Sequence, residues 1–322
     1  MIDNEKDSGS NLQHQRNIEK LRRDLGPIFL DAFDNSFTIE IMLNPDGKLW
    51  HELLGKPMQL IGRVEPTRAE AVLKTVAACL STTITRENPT IEGEFPLDGS
   101  RFAGQIAPVV KAPTYAIRKK ASSIFTLDQY VESGVMSQEY ADIIRDAVAN
   151  HRNILVIGGT GSGKTTLTNA IIHEISVMYP HERVVIIEDT GELQCSAENH
   201  VLYHTSPTRS MTDLLKTTLR MRPERILIGE VRGHEALDLL DAWNTGHEGG
   251  VATLHANNST AALKRLHSLV TRNPFAPKDI EPLIGEVVHL VIQIKKTPAG
   301  RRVTEILKVM GYEHGQYKTE IF

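Results

Sequence analysis

The amino-acid sequence predicts an α/β protein in which a smaller mixed α/β domain precedes a C-terminal domain with a mostly parallel sheet. The length of 322 residues suggests two domains, at about 150 residues each. From residue 154 onward, short all-apolar runs alternate with helical patterns, and a glycine-rich turn follows the first run. Such runs are typical of parallel strands that helices cover on both faces.

The first part of the chain contains helix and strand patterns but no catalytic motif. Residues 1–11 are polar and predict a disordered lead-in, and residues 12–110 predict the mixed α/β domain. Its predicted elements are an early amphipathic helix, a strand with a hairpin, a helix opened by a capping box, and two further strands. They lie at residues 21–29, 37–50, 67–80, 91–95 and 102–110.

A basic segment separates this part from the second domain. Residues 111–123 contain a proline and several arginine and lysine residues, and we interpret them as the interdomain linker. Residues 124–322 form the second domain, which begins with a helix at 140–148. Its predicted strands and terminal hairpin lie at 154–157, 184–187, 226–228 and 287–309.

Composition and charge exclude several classes of protein. The chain has 36 Lys and Arg residues against 40 Asp and Glu, a net charge of −4, unlike a dedicated nucleic-acid coat. The two cysteines lie far apart, which excludes a disulfide framework and a four-cysteine zinc site. No apolar run approaches the roughly 18–20 residues of a membrane span, and the polar N-terminus is unlike a signal peptide. We therefore expect a soluble protein of a reducing compartment.

Residues 158–165 match the phosphate-binding pattern GxxxxGK[ST] at every position, between an apolar run and a helix pattern. Glycines let successive backbone N–H groups face the phosphates. We expect Lys164 to reach the β- and γ-phosphates and the Thr165 hydroxyl to ligate Mg²⁺. A dinucleotide GxGxxG pattern fails, because its third glycine position holds a lysine or a threonine. The predicted nucleotide-binding residues are Gly158, Gly159, Thr160, Gly161, Ser162, Gly163, Lys164, Thr165 and Thr166.

Acidic residues follow two of the predicted strands. Glu188 and Asp189 come directly after the strand at 184–187, and Glu230 comes one glycine after the strand at 226–228. The carboxyl ends of parallel strands converge on the ligand crevice, so these acids are placed for catalysis. We interpret Glu230 as the general base or water-orienting group, and Glu188 and Asp189 as Mg²⁺ ligands through water. The alternatives are a helix N-cap for Glu230 and a solvated turn for Glu192.

Two histidines lie in the glycine-rich segment TGHEGGVATLHANN at residues 245–258. Its glycines and small residues suit a loop that senses a γ-phosphate, and His255 is the candidate residue. A histidine that follows an apolar strand is often only a half-buried structural residue. Metal ligation by His247 and His255 is disfavoured, because no cysteine or third histidine lies close in sequence.

Four segments resemble, in order, the Walker A, Asp box, Walker B and His box of the secretion, or traffic, ATPases. They are GGTGSGKTT, IEDTGEL, ILIGEVRG and TGHEGGVATLHANNS. The IEDTGE sequence is closer to the type IV branch than to the type II branch, which carries a four-cysteine element that two cysteines cannot form. As in that family, Gly229 stands where Walker B usually has an aspartate. Size and sequence are similar to those of conjugal-transfer ATPases.

The resemblance implies a RecA-like P-loop NTPase fold for the second domain and Mg²⁺-dependent hydrolysis of ATP. By position, Glu188 and Asp189 form the implied Asp box, and His255 is the implied His-box histidine. The implied catalytic glutamate is Glu230. The resemblance also implies a homo-oligomer in the form of a hexameric ring. This ring would be cytoplasmic and would associate with the inner membrane through components of the secretion or conjugation apparatus. Direct contact with DNA is not expected.

Members of that family bind nucleotide between their two domains, with arginines of the first domain and linker at the phosphates. Arg101 and Arg118 are the matching residues here, and a solvated surface charge is the alternative for each. Further candidates for phosphate or subunit contacts are Arg209, Arg220, Arg222 and Arg232.

Two alternatives stand beside a ring ATPase that powers conjugative secretion. A small-molecule kinase would need an acceptor pocket and a mobile arginine lid, and hydrolysis without an added acceptor distinguishes it. A P-loop nucleic-acid translocase is disfavoured by the near-neutral charge, although the pairs at 119–120 and 301–302 could form a basic patch. A steep salt dependence of DNA binding would support the translocase.

Overall fold

Two units divide the chain, Met1–Ser122 (unit 1) and Ser123–Phe322 (unit 2), and each has its own sheet and hydrophobic core. The computed structural model describes residues 3–53, 56–120, 124–206, 208–298 and 300–322. The predicted fold class, with a smaller mixed α/β unit before a mostly parallel one, is confirmed.

Within the described residues, unit 1 comprises three helices and a six-stranded antiparallel sheet. Its elements are α1 (Asp3–Leu25), α2 (Pro27–Asp34), β1 (Thr38–Leu43), β2 (Lys48–Leu53), β3 (Gln59–Arg63), α3 (Pro66–Cys79), β4 (Thr90–Glu94), β5 (Arg101–Gln105) and β6 (Thr114–Arg118). The strand order is β3-β2-β1-β6-β5-β4. Aromatic rings fill the core between sheet and helices: Phe95 stacks on Phe102 with ring centroids 5.6 Å apart, and Phe29 lies 6.2 Å from Phe95.

Gly26 divides the predicted early helix into two. Its φ of +77° suits glycine, and Pro27 then occupies the first position of α2. Residues 3–11 lie within α1 instead of forming the predicted disordered lead-in. They contain no proline and a single glycine, so the backbone can extend the helix that Leu21 and Leu25 anchor in the core. Residues 1 and 2 lie outside the described part of the chain.

The predicted basic linker is wrong over residues 114–118, which form the central strand β6. Tyr115 and Ile117 alternate into the core, and the strand pairs with β1 on one side and β5 on the other. Residues 121–123 of the predicted linker lie outside the described residues. The predicted capping box is also wrong, because no side chain caps α3 in the described segment 65–70; Pro66 occupies the first helical position.

Unit 2 is built on an eight-stranded sheet. Its elements are α4 (Leu127–Glu132), α5 (Gln138–Ala149), β7 (Ile154–Ile157), α6 (Lys164–Met178), β8 (Val184–Glu188), β9 (His200–His204), α7 (Met211–Thr218), β10 (Arg225–Ile228), α8 (Glu235–Trp243), β11 (Val251–Leu254), α9 (Ser259–Val270), α10 (Glu281–Val287), β12 (Leu290–Thr297), β13 (Gly300–Glu313) and β14 (Gln316–Ile321). The strand order is β14-β13-β12-β7-β11-β10-β8-β9. All pairs from β12 to β9 are parallel, and β13 and β14 add antiparallel strands at one edge.

Helices cover both faces of this sheet. Every residue of β7, β8, β10 and β11 is buried, which explains why apolar residues make up most of these strands. Helices α7 to α10 pack on one face and α4 to α6 on the other. None of the helices in the described ranges combines the length and apolar character needed to cross a bilayer.

A buried polar network holds the amino-terminal edge of the parallel strands. Arg225 is fully buried; it pairs with Glu182 and donates to the Gly249 carbonyl oxygen. Asn153 accepts the backbone N–H of Gly249 at 2.8 Å. His247 lies at this edge too, with Nδ1 2.9 Å from the carbonyl oxygen of residue 223. The opposite, carboxyl edge carries the predicted site.

Candidate active site

The predicted phosphate-binding loop connects β7 to α6 at the carboxyl edge of the parallel strands. Gly161 and Gly163 have φ values of +69° and +100°, which glycine adopts without strain. A side chain at Gly158 is excluded, because its Cβ would lie 2.3 Å from the Ile294 carbonyl oxygen. The loop therefore has the tight backbone curl that a phosphate cradle requires.

The other loop residues differ in exposure. Gly159 and Thr160 are exposed, and Thr165 and Thr166 lie half-buried in the first turn of α6. Ser162 is buried, and its hydroxyl oxygen has no hydrogen-bond partner among the described residues. An orphaned hydroxyl inside the loop fits a ligand that offers polar oxygens. Nucleotide binding by these residues stays a prediction.

Lys164 lies inside the curl of the loop and is 8% exposed. Its Nζ donates to the carbonyl oxygens of Gly158 and Gly159 at 2.9 and 3.0 Å. It also lies 3.4 Å from Nδ1 of His255, which follows β11. The lysine of the P-loop and the histidine of the predicted His box are thus neighbours.

His255 connects Lys164 to Glu230. Its Nε2 lies 3.0 Å from Glu230 Oε1, on the side of the ring away from Lys164. A neutral imidazole with its proton on Nε2 donates to the carboxylate and accepts from the ammonium group at Nδ1. The structure therefore brings together three predicted residues that come from three separate motifs.

Arg232 bridges Glu230 and Asp189. Its Nη2 lies 2.6 Å from Glu230 Oε2, and its Nη1 lies 3.0 Å from Asp189 Oδ2. The Thr205 hydroxyl donates to the other Asp189 oxygen at 2.9 Å. The sequence suggested Arg232 only for phosphate or subunit contacts, whereas its guanidinium group here orients both acids.

Opposing effects set the pKa of Glu230. Burial raises this pKa, but the hydrogen bond and charge of Arg232, with the electrostatic effects of nearby His255 and Lys164, outweigh burial. The pKa therefore lies below its ordinary value. Glu230 is ionised at neutral pH and can accept a proton.

Glu188 shapes the loop that follows β8. The side chain is buried, and its carboxylate accepts the backbone N–H groups of Glu192 and Leu193 at 2.9 and 3.1 Å. His204 Nε2 lies 3.7 Å from its other oxygen. A Cβ at Gly229 would lie 2.6 Å from the Glu188 Cβ, so Glu188 occupies the space that a Walker B aspartate would need. Mg²⁺ binding by Glu188 and Asp189 through water stays a prediction.

Glu192 lies at the predicted Mg²⁺-binding hydroxyl. Its Oε2 accepts the Thr165 hydroxyl at 3.3 Å, and its backbone carbonyl oxygen accepts Asn169 Nδ2 at 3.3 Å. The sequence did not decide between a solvated turn and a functional role for this residue. Hydroxyl and carboxylate oxygens are donors that Mg²⁺ prefers, with substrate phosphates and water completing the shell, so Thr165 and Glu192 fit this ion. The described residues contain no group of three or more His, Cys, Asp or Glu that could hold a metal.

The two arginines predicted from the first domain lie side by side in unit 1. Arg101 on β5 is directly opposite Arg118 on β6, and Glu40 on β1 is opposite Arg118 on its other side. Burial raises the pKa of Glu40, although the charges of both arginines act against it. Phosphate binding by Arg101 and Arg118 stays a prediction.

The remaining candidate arginines in unit 2 are divided between the two edges of the sheet. Arg220 and Arg222 precede β10, so they lie at its amino-terminal edge with His247, opposite the P-loop. Arg209 is exposed in the turn before α7. Arg232 alone of these four contacts the acids in the described structure.

Comparison with known proteins finds a matching family, a relative similar over nearly the whole chain, and two solved structures of similar fold. Residues 22–307 match the model of the family described as type II/IV secretion system protein. The chain is 49% identical to the probable conjugal transfer protein TrbB of Sinorhizobium fredii, over 95% of this chain and 94% of that protein. It is similar to the solved VirB11 ATPase of the Brucella suis type IV secretion system in complex with sulphate, with 25% identity, a TM-score of 0.50 and coverage of 91% and 96%. The ATPase DotB of Legionella pneumophila, 22% identical with a TM-score of 0.63 and coverage of 89% and 80%, shares the fold.

Proposed function

The chain belongs to the type II/IV secretion system protein family, and from that premise we propose that it is a Mg²⁺-dependent ATPase that powers conjugative DNA transfer. The proposed active form is a hexameric ring that drives a type IV secretion apparatus. A relative named for conjugal transfer supports the process, and a similar VirB11 ATPase supports the activity.

The observation that carries this proposal is the convergence of Lys164, His255 and Glu230. A P-loop lysine binds phosphate, but hydrolysis also needs a group that orients the attacking water. Glu230 is ionised, lies at the carboxyl edge of the sheet and is joined to Lys164 through one imidazole ring. This arrangement supports hydrolysis rather than nucleotide binding alone.

In the proposed reaction, Glu230 orients a water molecule and accepts its proton as the water attacks the γ-phosphorus of ATP. The bond between this phosphorus and the bridging oxygen of the β-phosphate breaks, and ADP leaves. His255 and Arg232 each hold one oxygen of the Glu230 carboxylate and so fix its direction. Lys164 offers its charge to the β- and γ-phosphates, and Thr165, with Glu192, would hold Mg²⁺. When bound, this ion would supply positive charge that offsets the charge developing on the phosphate oxygens.

Unit 1 supplies the remaining positive charge in the proposed ring. Arginines that reach a transferring phosphoryl group can raise its rate by about 10³–10⁵, and Arg101 and Arg118 are the proposed source. Hydrolysis of the bound ATP to ADP would then cause a motion of one unit against the other, and this motion would transmit the work of hydrolysis. The proposed ring is cytoplasmic and joins the inner membrane through components of the conjugation apparatus, without direct contact with DNA.

The test is phosphate release from ATP by the full-length protein, with Mg²⁺ or with EDTA and without any added acceptor. We expect Mg²⁺-dependent turnover that Lys164→Ala abolishes while circular dichroism shows an intact fold, because the loop lies outside the hydrophobic core. Lys264→Ala, which removes an exposed lysine of α9, is the matched control and should retain turnover. Undiminished turnover by folded Lys164→Ala would contradict the proposed function.

A further inference from the structure

The hairpin of β12 and β13 carries four cations next to its turn. Lys295 is paired with Arg302 and Lys296 with Arg301, so like charges lie directly opposite each other. Within the described ranges none of the four forms an ion pair with an acidic residue. Like charges opposite each other destabilise a two-stranded ladder, which indicates that this basic hairpin (Lys295, Lys296, Arg301, Arg302) serves an external anion.

Register places the basic hairpin beside the phosphate-binding loop. β12 is the parallel neighbour of β7, and Gln293 is paired with Ile157, the last residue of β7. The four residues 294–297 therefore extend β12 beyond that strand, along the side of the loop. The Ile294 carbonyl oxygen is the atom that excludes a side chain at Gly158.

Arg301 contacts the loop itself. Its Nε donates to the Gly161 carbonyl oxygen at 3.3 Å. Its Cδ lies 3.0 Å from the position that a Cβ of Gly163 would occupy. Two glycines of the cradle thus lie against this arginine, whose guanidinium group is at the rim and not in the core.

We propose that the basic hairpin is an electrostatic capture element for the triphosphate of MgATP, acting before the nucleotide settles in the loop. This inference rests on the proposed function, because it takes a nucleoside triphosphate as the ligand of the loop. Unpaired cations beside a cleft raise the local concentration of an anionic ligand and its association rate. Their effect falls with salt, because the Debye length shortens from about 30 Å at 0.01 M to about 3 Å at 1 M. The basic hairpin therefore acts on association and KM, whereas kcat depends on Glu230 and its neighbours.

The experiment measures association of a fluorescent ATP analogue with the full-length protein by stopped flow, with Mg²⁺ and at several salt concentrations. The test variant is Lys295→Gln with Lys296→Gln, which removes two exposed cations of β12 and keeps Arg301 with its contact to the loop. The matched control is Lys308→Gln with Lys318→Gln, which removes two exposed cations from β13 and β14. We expect the test variant to associate at least about threefold more slowly at low salt, from the screened Coulomb attraction of two charges. The difference should vanish at high salt, with kcat unchanged and the control like wild type.

Other results would overturn either the inference or the proposed function. Wild-type association by the test variant at low salt would overturn the inference and leave the proposed function intact. A slower rate that persists at high salt would also overturn it, since the effect would then come from altered loop structure. If only salt-dependent binding of single-stranded DNA falls, the basic hairpin serves nucleic acid and the inference is wrong. If wild type binds no nucleotide at all, the proposed function fails.

Discussion

Replacement of Arg232 by glutamine should move the pH dependence of hydrolysis. The guanidinium group makes charge-assisted hydrogen bonds to Glu230 at 2.6 Å and to Asp189 at 3.0 Å. A hydrogen bond to a charged group contributes about 1.5–3 kcal/mol, but the Arg232 side chain is 49% exposed, and solvent screening reduces this value. About 1–2 kcal/mol remains for Glu230, and this stabilisation of the carboxylate holds its pKa below the ordinary value.

The sign follows from the charge on the base. Arg232 lowers the pKa of Glu230, so its removal raises that pKa. Hydrolysis needs the ionised carboxylate and is lost as the pH falls through the pKa. The acid limb of the pH profile should therefore move to higher pH in Arg232→Gln, and Arg232→Lys should reverse part of this shift by keeping the charge.

Single-turnover hydrolysis between about pH 4 and 8 measures this limb, with circular dichroism at each pH to restrict the comparison to folded protein. A merely structural role for Arg232 would lower the rate at every pH without moving the limb. Acid limbs that coincide in wild type and Arg232→Gln would refute the reasoning.

Three further predictions test the packing and the proposed ring. Gly229→Ala should lower the free energy of unfolding by about 1–3 kcal/mol and reduce turnover, because the new Cβ would lie 2.6 Å from the Cβ of Glu188. Chemical denaturation measures the loss of stability, and phosphate release measures the loss of turnover. Arg225→Ala should lower the free energy of unfolding by about 3–5 kcal/mol, since it leaves the half-buried Glu182 carboxylate and buried carbonyl oxygens without their partner, as chemical denaturation would show. An equal mixture of inactive Arg118→Ala and Glu230→Gln should recover part of the ATPase activity if Arg118 acts across a subunit boundary.

Controls make these results specific. Arg265→Ala removes an exposed arginine of α9 and should leave the unfolding free energy nearly unchanged. Stability of Gly229→Ala equal to wild type would contradict the packing explanation for the missing Walker B aspartate. A mixture that stays inactive, although labelled subunits demonstrably exchange, would place Arg118 within its own chain or outside the site.

The parallel sheet and the location of its acids were predictable, because local signals determine both. Apolar runs identified β7, β8 and β10, and strands of a parallel sheet end at one edge. The same logic separates His247 from His255: β11 spans four residues between them, so one lies at each edge.

Other features depend on contacts between residues distant in sequence. In the sequence, Arg232 and Arg301 cannot be told from ordinary surface cations. Their contacts with Asp189 and with the phosphate-binding loop depend on strand register and loop packing. The basic linker was mispredicted for a different reason. Residues 111–123 contain one proline, one arginine and three lysines, which suggested a linker, while the alternation of Tyr115 and Ile117 within them already indicated a strand.

The central claim is that Glu230 is the group that activates water while other residues bind the nucleotide. The most direct measurement is the identity of the nucleotide that remains bound to Glu230→Gln after incubation with MgATP, read by chromatography of the denatured complex. Glutamine keeps the size of the side chain but cannot accept the proton, so we expect bound ATP near wild-type stoichiometry and no phosphate release. Bound ADP with continued phosphate release would contradict the account, and loss of nucleotide binding together with hydrolysis would make Glu230 a structural or metal-binding residue instead.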